Sequence, residues 1–283
     1  MRVVRASHLG MCFGVREAIA KVLRAGAREP LTVLGELVHN GTVLEQLAAR
    51  GIQLRHEVAE VDTPAVAITA HGASERRRAA VRERGLRVLD ATCPIVRAAH
   101  RTVTALAADG FHPVIVGTPG HVEVRGLTED LDAFDVISTE QDVERLQPRQ
   151  RFGVAAQTTQ PIERVRQLAW LIRRRFPLSD VRVAETTVCV PTRLRQEAAE
   201  ALATKSDVVV VVGGARSNNT RELCATCSRH CERVFLVQDA TDLRPEWFAG
   251  ARLAGLTAGT STPDAVIDGV EAAMQDIANR RVA

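Results

Sequence analysis

The chain has 283 residues, 46% of them hydrophobic and 25% charged, a formal net charge of +3, six cysteines and no tyrosine. This is the composition of a soluble globular protein, long enough for one large α/β domain or several small ones. It excludes a broad nucleic-acid footprint, a base-stacking surface and a membrane-spanning segment: no basic tract is interleaved with aromatics, and no run approaches the roughly 18 apolar residues of a membrane helix.

The N-terminal "MRVVRASHLGMC" lacks the apolar core of a signal peptide, which predicts a cytosolic protein. Six cysteines in that compartment point to metal or redox chemistry rather than a disulfide framework. Along the chain, "RVVRA" reads as a strand, followed by Cys12 and the helical pattern "FGVREAIAKVLRAGA". Strands follow at "LTVL" (31–34) and "AVAIT" (65–69), and Thr42 with Glu45 has the spacing of a capping box. "LRVLDAT" then leads to Cys93, with Pro94 at the start of "PIVRAAHRTVTALAADG". "PVIV" (113–116), "FDVIS" (134–138) and "RFGVAA" (151–156) read as strands. "VRVAETT" leads to Cys189 and the helix "VPTRLRQEAAEALATK". "DVVVVV" (207–212), "RVFLV" (233–237) and "ARLAGLT" (251–257) complete the strands. Val208 to Val212 has no polar alternation, as a strand buried on both faces should.

Strand, cysteine, helix thus occurs three times, at intervals of 81 and 96 residues with 94 residues after the last cysteine. A helix N-terminus favours a thiolate and so suits a metal ligand. The pattern predicts three similar α/β units that each hand one thiolate to a shared centre. Their boundaries are 13–93, 94–189 and 190–283, with residues 1–12 joining the last, because a dozen residues cannot form a domain alone.

In open α/β sheets ligands bind beyond the carboxyl ends of strands. His39, His71, His121, Glu123, Thr158, Ser217, Asn218, Asn219 and Ser261 all follow strand segments. Singly, such residues are ordinary loop groups. Together, the three imidazoles and the Ser/Asn loops at helix N-termini suit a phosphate or diphosphate. Cys224, Cys227 and Cys231 form C-x2-C-x3-C. Within a helical pattern they share one face, so they read as small packing residues, with His230 the one nearby candidate for a fourth ligand.

The segments "GMCFGVREAI", "GELVHN", "AHGAS", "DATCPIV", "GHVEVRG", "AQTTQ" and "TAGTSTPD" resemble those of the 4-hydroxy-3-methylbut-2-enyl diphosphate reductase family, in one order from residue 2 to about residue 270. The resemblance implies three α/β domains in a trefoil around one [4Fe–4S] cluster, with one iron lacking a protein ligand. It implies Cys12, Cys93 and Cys189 as cluster ligands and His39, His71 and His121 as substrate-binding histidines. Glu123 would be the proton donor, Thr158 would stand near the substrate hydroxyl, and Ser217, Asn218, Asn219 and Ser261 would bind the diphosphate. It further implies a ferredoxin or flavodoxin as electron donor, and isopentenyl and dimethylallyl diphosphates as products.

The chain departs from the family pattern in places. Arg216-Ser217-Asn218-Asn219 replaces Asn-Ser-Ser-Asn, Val122 replaces a proline, and Pro191, Arg193 and Leu194 interrupt the motif after Cys189, which keeps Thr192, Arg195 and Gln196. These changes leave a paralogue with a shifted substrate as one alternative. Others are an enzyme resembling quinolinate synthase, which "GELVHN" and "GHVEV" speak against, and an iron–sulfur sensor or carrier, which would not need Glu123 and three histidines.

Overall fold

The computed structural model describes residues 1–280. After β1 (Arg2–Arg5), the first third of the chain forms α1 (Phe13–Gly26), β2 (Leu31–Leu34), α2 (Gly41–Ala48), β3 (Gln53–Arg55), β4 (Ala65–Ile68), α3 (Glu75–Glu83) and β5 (Arg87–Asp90). The second forms α4 (Pro94–Ala108), β6 (His112–Val116), α5 (Val122–Thr128), β7 (Asp135–Ile137), α6 (Glu140–Arg145), β8 (Arg151–Ala156), α7 (Ile162–Arg175) and β9 (Asp180–Val183). The last forms α8 (Val190–Ala203), β10 (Val208–Val212), α9 (Asn218–Ser228), β11 (Val234–Val237), β12 (Leu253–Ala258) and α10 (Asp264–Asn279).

The strands make three four-stranded parallel sheets, ordered β3-β2-β4-β5, β7-β6-β8-β9 and β11-β10-β12-β1. Numbered from the first strand of each sheet, all three read 2-1-3-4. In the last sheet the fourth place is taken by β1, from the other end of the chain. Arg2 to Arg5 pair in register with Leu253 to Leu256. An order of this kind has a switch point between its first and third strands, where a crevice opens at their carboxyl ends.

By packing, the chain divides into two compact units: Met1–Phe13, His39–Val43 and the residues from Val190 onward in one, Gly14–Val38 and Leu44–Cys189 in the other. In the first, the five valines of β10 are all fully buried. Val208, Val210 and Val212 pack with Phe248, Leu256 and Met274, while Val209 and Val211 face Leu223 and Cys227. Both faces of the strand are therefore covered, which explains why its sequence does not alternate. In the second unit, Val114, Phe152, Val154 and Ile172 form one core, Val103, Phe111, Ile115 and Val124 another, and Leu34, Val66 and Val81 a third.

Two local expectations need correction, the cap of α2 and the extent of α9, and two features were not anticipated, β3 and the loop position of Ser261. β3, with its sequence "QLR", is too short and polar to show a period of two. The cap of α2 is Asn40, whose Oδ1 accepts from Val43 N at 3.1 Å, rather than Thr42. α9 ends at Ser228, so Cys231 lies beyond the helix. α10 begins at Asp264 with Pro263 as its cap, so Ser261 lies in the loop before it. No helix among the described residues is long and apolar enough to cross a membrane.

Candidate active site

Each of Cys12, Cys93 and Cys189 immediately precedes a helix, respectively α1, α4 and α8. Their backbone amides are held alike. Cys12 N donates to Thr260 O at 3.0 Å, Cys93 N to Ala70 O at 3.1 Å and Cys189 N to Thr158 O at 3.0 Å. Each acceptor stands two residues beyond the third strand of its sheet: β12, β4 and β8. One backbone geometry, used three times, thus ties a half-buried thiol to a switch-point loop. None of the six cysteines is in a disulfide.

The larger unit brings together His71, His121, Glu123 and Thr158. The rings of His71 and His121 lie 5.6 Å apart, edge to face. His121 caps α5 through Nδ1, which accepts from Glu123 N at 3.1 Å, so a neutral imidazole carries its proton on Nε2. Glu123 is 2% exposed and its Oε1 accepts from Thr158 N at 2.5 Å. Burial pushes its carboxyl up to about 7, against the opposing pull of hydrogen bonds from the Thr158 amide and side chain. Beside it, Gln157 is fully buried, accepts from Thr118 N at 3.0 Å and reaches Thr159 Oγ1 at 3.2 Å, fixing the turn before His121.

The other unit brings together His39, Ser217, Asn218, Asn219 and Ser261. Ser217 caps α9, its Oγ accepting from Thr220 N at 3.3 Å. Asn218 and Asn219 occupy the first helical positions, both buried. Asn219 Oδ1 accepts from Thr260 N at 2.9 Å, while its Nδ2 is buried with no protein partner. Ser261 Oγ donates to His39 O at 3.4 Å. A Cβ at Gly214 would lie 2.5 Å from His39 O, so only glycine allows this approach. Cys12, Thr260 and Asn219 form one hydrogen-bonded series. Arg195, 9% exposed, donates from Nε to Gly10 O at 2.9 Å and steadies the turn before Cys12.

Sequence reasoning singled out neither Gln157 nor Thr260 nor Asn40. All three lie inside segments that carry the family resemblance, but the roles of Gln157 and Thr260 are visible only through partners distant in sequence. The C-x2-C-x3-C cysteines pack in the core beside Ala199, Val209 and Leu223, and burial pushes the thiols of Cys224 and Cys227 up to about 12. That is the setting of an inert thiol. Among the described residues, no three His, Cys, Asp or Glu side chains are grouped to hold a single metal ion.

A profile described as LytB protein matches residues 3–275. The chain belongs to the LytB family. This LytB chain is 35% identical to the 4-hydroxy-3-methylbut-2-enyl diphosphate reductase of Aquifex aeolicus, over 97% of its own length and 96% of the relative's. It is 38% identical to the enzyme of that name from Citrifermentans bemidjiense, over 95% of each chain. Among solved structures, the E-1-hydroxy-2-methyl-but-2-enyl-4-diphosphate reductase of Plasmodium falciparum matches with a TM-score of 0.88 and 25% identity, covering 94% of this chain and 85% of that one. A structure described as (E)-4-hydroxy-3-methyl-but-2-enyl diphosphate reductase, the terminal enzyme of the non-mevalonate pathway, matches with a TM-score of 0.69 and 33% identity, covering 97% and 99%.

Proposed function

We propose that this LytB chain reduces 4-hydroxy-3-methylbut-2-enyl diphosphate to isopentenyl and dimethylallyl diphosphate. Two electrons and two protons enter, and the allylic hydroxyl leaves as water. The observation that carries the reading is Glu123: a fully buried carboxyl held near neutrality, hydrogen-bonded to Thr158 and following a histidine of fixed tautomer.

The LytB family is one of iron–sulfur enzymes, and the residues present fit such a group. The three thiols repeat one anchored geometry, and a Cβ at Gly14 would stand 2.4 Å from Cys93 Sγ, so glycine keeps space beside that thiol open. A polynuclear cluster spreads its thiolates over separate irons, so its ligands need not gather as they would around one ion. Cys12, Cys93 and Cys189 would hold a [4Fe–4S] cluster, leaving one iron without a protein ligand. When bound, the cluster supplies the electrons and the Lewis-acidic iron that side chains cannot.

The remaining work falls to the chain. Glu123 delivers a proton toward the departing hydroxyl by way of Thr158, and a carboxyl poised near 7 suits that task. His39, His71, His121, Ser217, Asn218, Asn219 and Ser261 bind and orient the substrate. The buried Nδ2 of Asn219 is a donor that a phosphate oxygen would satisfy. A ferredoxin or flavodoxin supplies the electrons in sequence.

The test is an anaerobic assay of reconstituted protein with this substrate and dithionite. Formation of both products, inhibited by inorganic diphosphate, is expected. Failure to turn over, or turnover that inorganic diphosphate leaves unchanged, would overturn the reading.

A further inference from the structure

Residues 75–101 hold eight arginines against three carboxylates, a net +5 where the whole chain carries +3. The rest of the chain is therefore net acidic, and its basic character is concentrated on α3, β5 and the start of α4. A groove of about 420 Å³ runs along this region, lined by Arg78, Thr92, Arg97, Arg101, Thr104 and Ala105 among others. Arg97, Arg101 and Ala105 follow one another at four-residue spacing, so they form one face of α4. That face begins one helical turn after Cys93.

The carboxylates around the groove are already engaged. Asp130 accepts from Glu75 N at 2.6 Å and Arg76 N at 3.1 Å. Glu75 pairs with Arg78 at 3.4 Å and Arg82 at 3.3 Å. Asp90 accepts from Thr92 N at 2.9 Å and pairs with Arg78 at 3.2 Å and Arg97 at 3.4 Å. Arg101 is exposed and makes no ion pair among the described residues. The lining thus sets Arg78, Arg97 and Arg101 against Glu75 and Asp130, and leaves Arg101 as the one guanidinium in it that no ion pair meets among the described residues, two helical turns after a proposed cluster ligand.

We infer that this groove docks a small acidic electron-carrier protein, its carboxylates meeting Arg97 and Arg101. The inference rests on the proposed function, since it is the reduction that requires electrons to enter. Each docking of the reduced carrier oxidises it by one electron. Two dockings supply the pair that, with two protons, converts the substrate hydroxyl to water. α7 offers an internal control: Arg173, Arg174 and Arg175 are equally exposed, but on another element.

Calorimetric titration of the holoenzyme with an acidic bacterial ferredoxin at low salt tests the docking directly. Arg97→Gln with Arg101→Glu should weaken binding at least about tenfold, because one cation facing the carrier's carboxylates is removed and the other is reversed in sign. Ferredoxin-driven turnover should fall with it, while dithionite-driven turnover stays within about twofold of wild type, the step itself being untouched. Arg173→Glu with Arg174→Glu should change neither. Arg101→Glu alone, which breaks no ion pair, repeats the binding test with the least disturbance. Unchanged ferredoxin affinity in the Arg97/Arg101 variants, or an equal loss in the α7 variant, would overturn the proposal. A wild type inactive with dithionite would instead defeat the proposed reaction, leaving the binding result to judge the groove by itself.

Discussion

Glu123 shows how one residue couples stability to chemistry. Its carboxyl sits at about 7 in the folded chain, against 4.5 as the reference value. The raised value means that the neutral acid is favoured in the fold. This contribution is fully present below about pH 4.5 and is lost as pH rises through 7, a difference of about 3 kcal/mol by the usual conversion. The protonated acid is also the form that the proposed proton delivery requires, so turnover should be level below about pH 7 and fall about tenfold per unit above it. Glu123→Gln removes the proton but keeps the shape. It should lower turnover about a hundredfold or more, leave iron content unchanged, and flatten the loss of stability between about pH 4.5 and 7 in denaturant titrations. Full activity in this variant would remove Glu123 from the mechanism.

Among the elements, α2 and α9 separate what local pattern can say from what it cannot. Thr42 and Glu45 satisfy the spacing of a capping box, yet Asn40 is the cap. The chain entering α2 turns two residues earlier than the motif suggests. Asn40→Ala should therefore cost about 1 kcal/mol, whereas Thr42→Ala should stay within about 0.5 kcal/mol, as read by urea unfolding. At α9 the cap is Ser217, inside the loop where the sequence resemblance is interrupted. Arg216 is exposed while Asn218 is buried, so the two substitutions act differently. Arg216→Asn with Asn218→Ser should shift the Michaelis constant modestly and leave the turnover number alone. Gly214→Ala would drive a Cβ to 2.5 Å from His39 O, and should weaken inhibition by diphosphate about tenfold or more. Unaltered inhibition would separate this loop from diphosphate binding.

Across the whole molecule, the repeated cysteine geometry predicts which thiols matter. Cys12→Ser, Cys93→Ser and Cys189→Ser should each lose most of about four bound irons, while Cys224→Ser, Cys227→Ser and Cys231→Ser keep them. Bleaching by the second set alone would mean that the wrong thiols have been chosen. The sequence by itself determined the strand–cysteine–helix recurrence, the α/β class and the strand segments, β3 excepted, because these are written in local periodicity and in residues that start helices. It also exposed the candidate loops, since ligand groups follow strands in such sheets. The place of residues 1–12 in the last unit was also legible, but tertiary structure alone decided the 2-1-3-4 strand order and the register of β1 on β12, because parallel pairing joins residues some 250 positions apart and leaves no local trace. It alone decided that Glu123 is buried on Thr158, that His121 spends Nδ1 on a cap, and that Asn219 holds one donor in reserve. Each of these depends on which loop lies against which, and burial and hydrogen bonding between distant loops are properties of the packed chain.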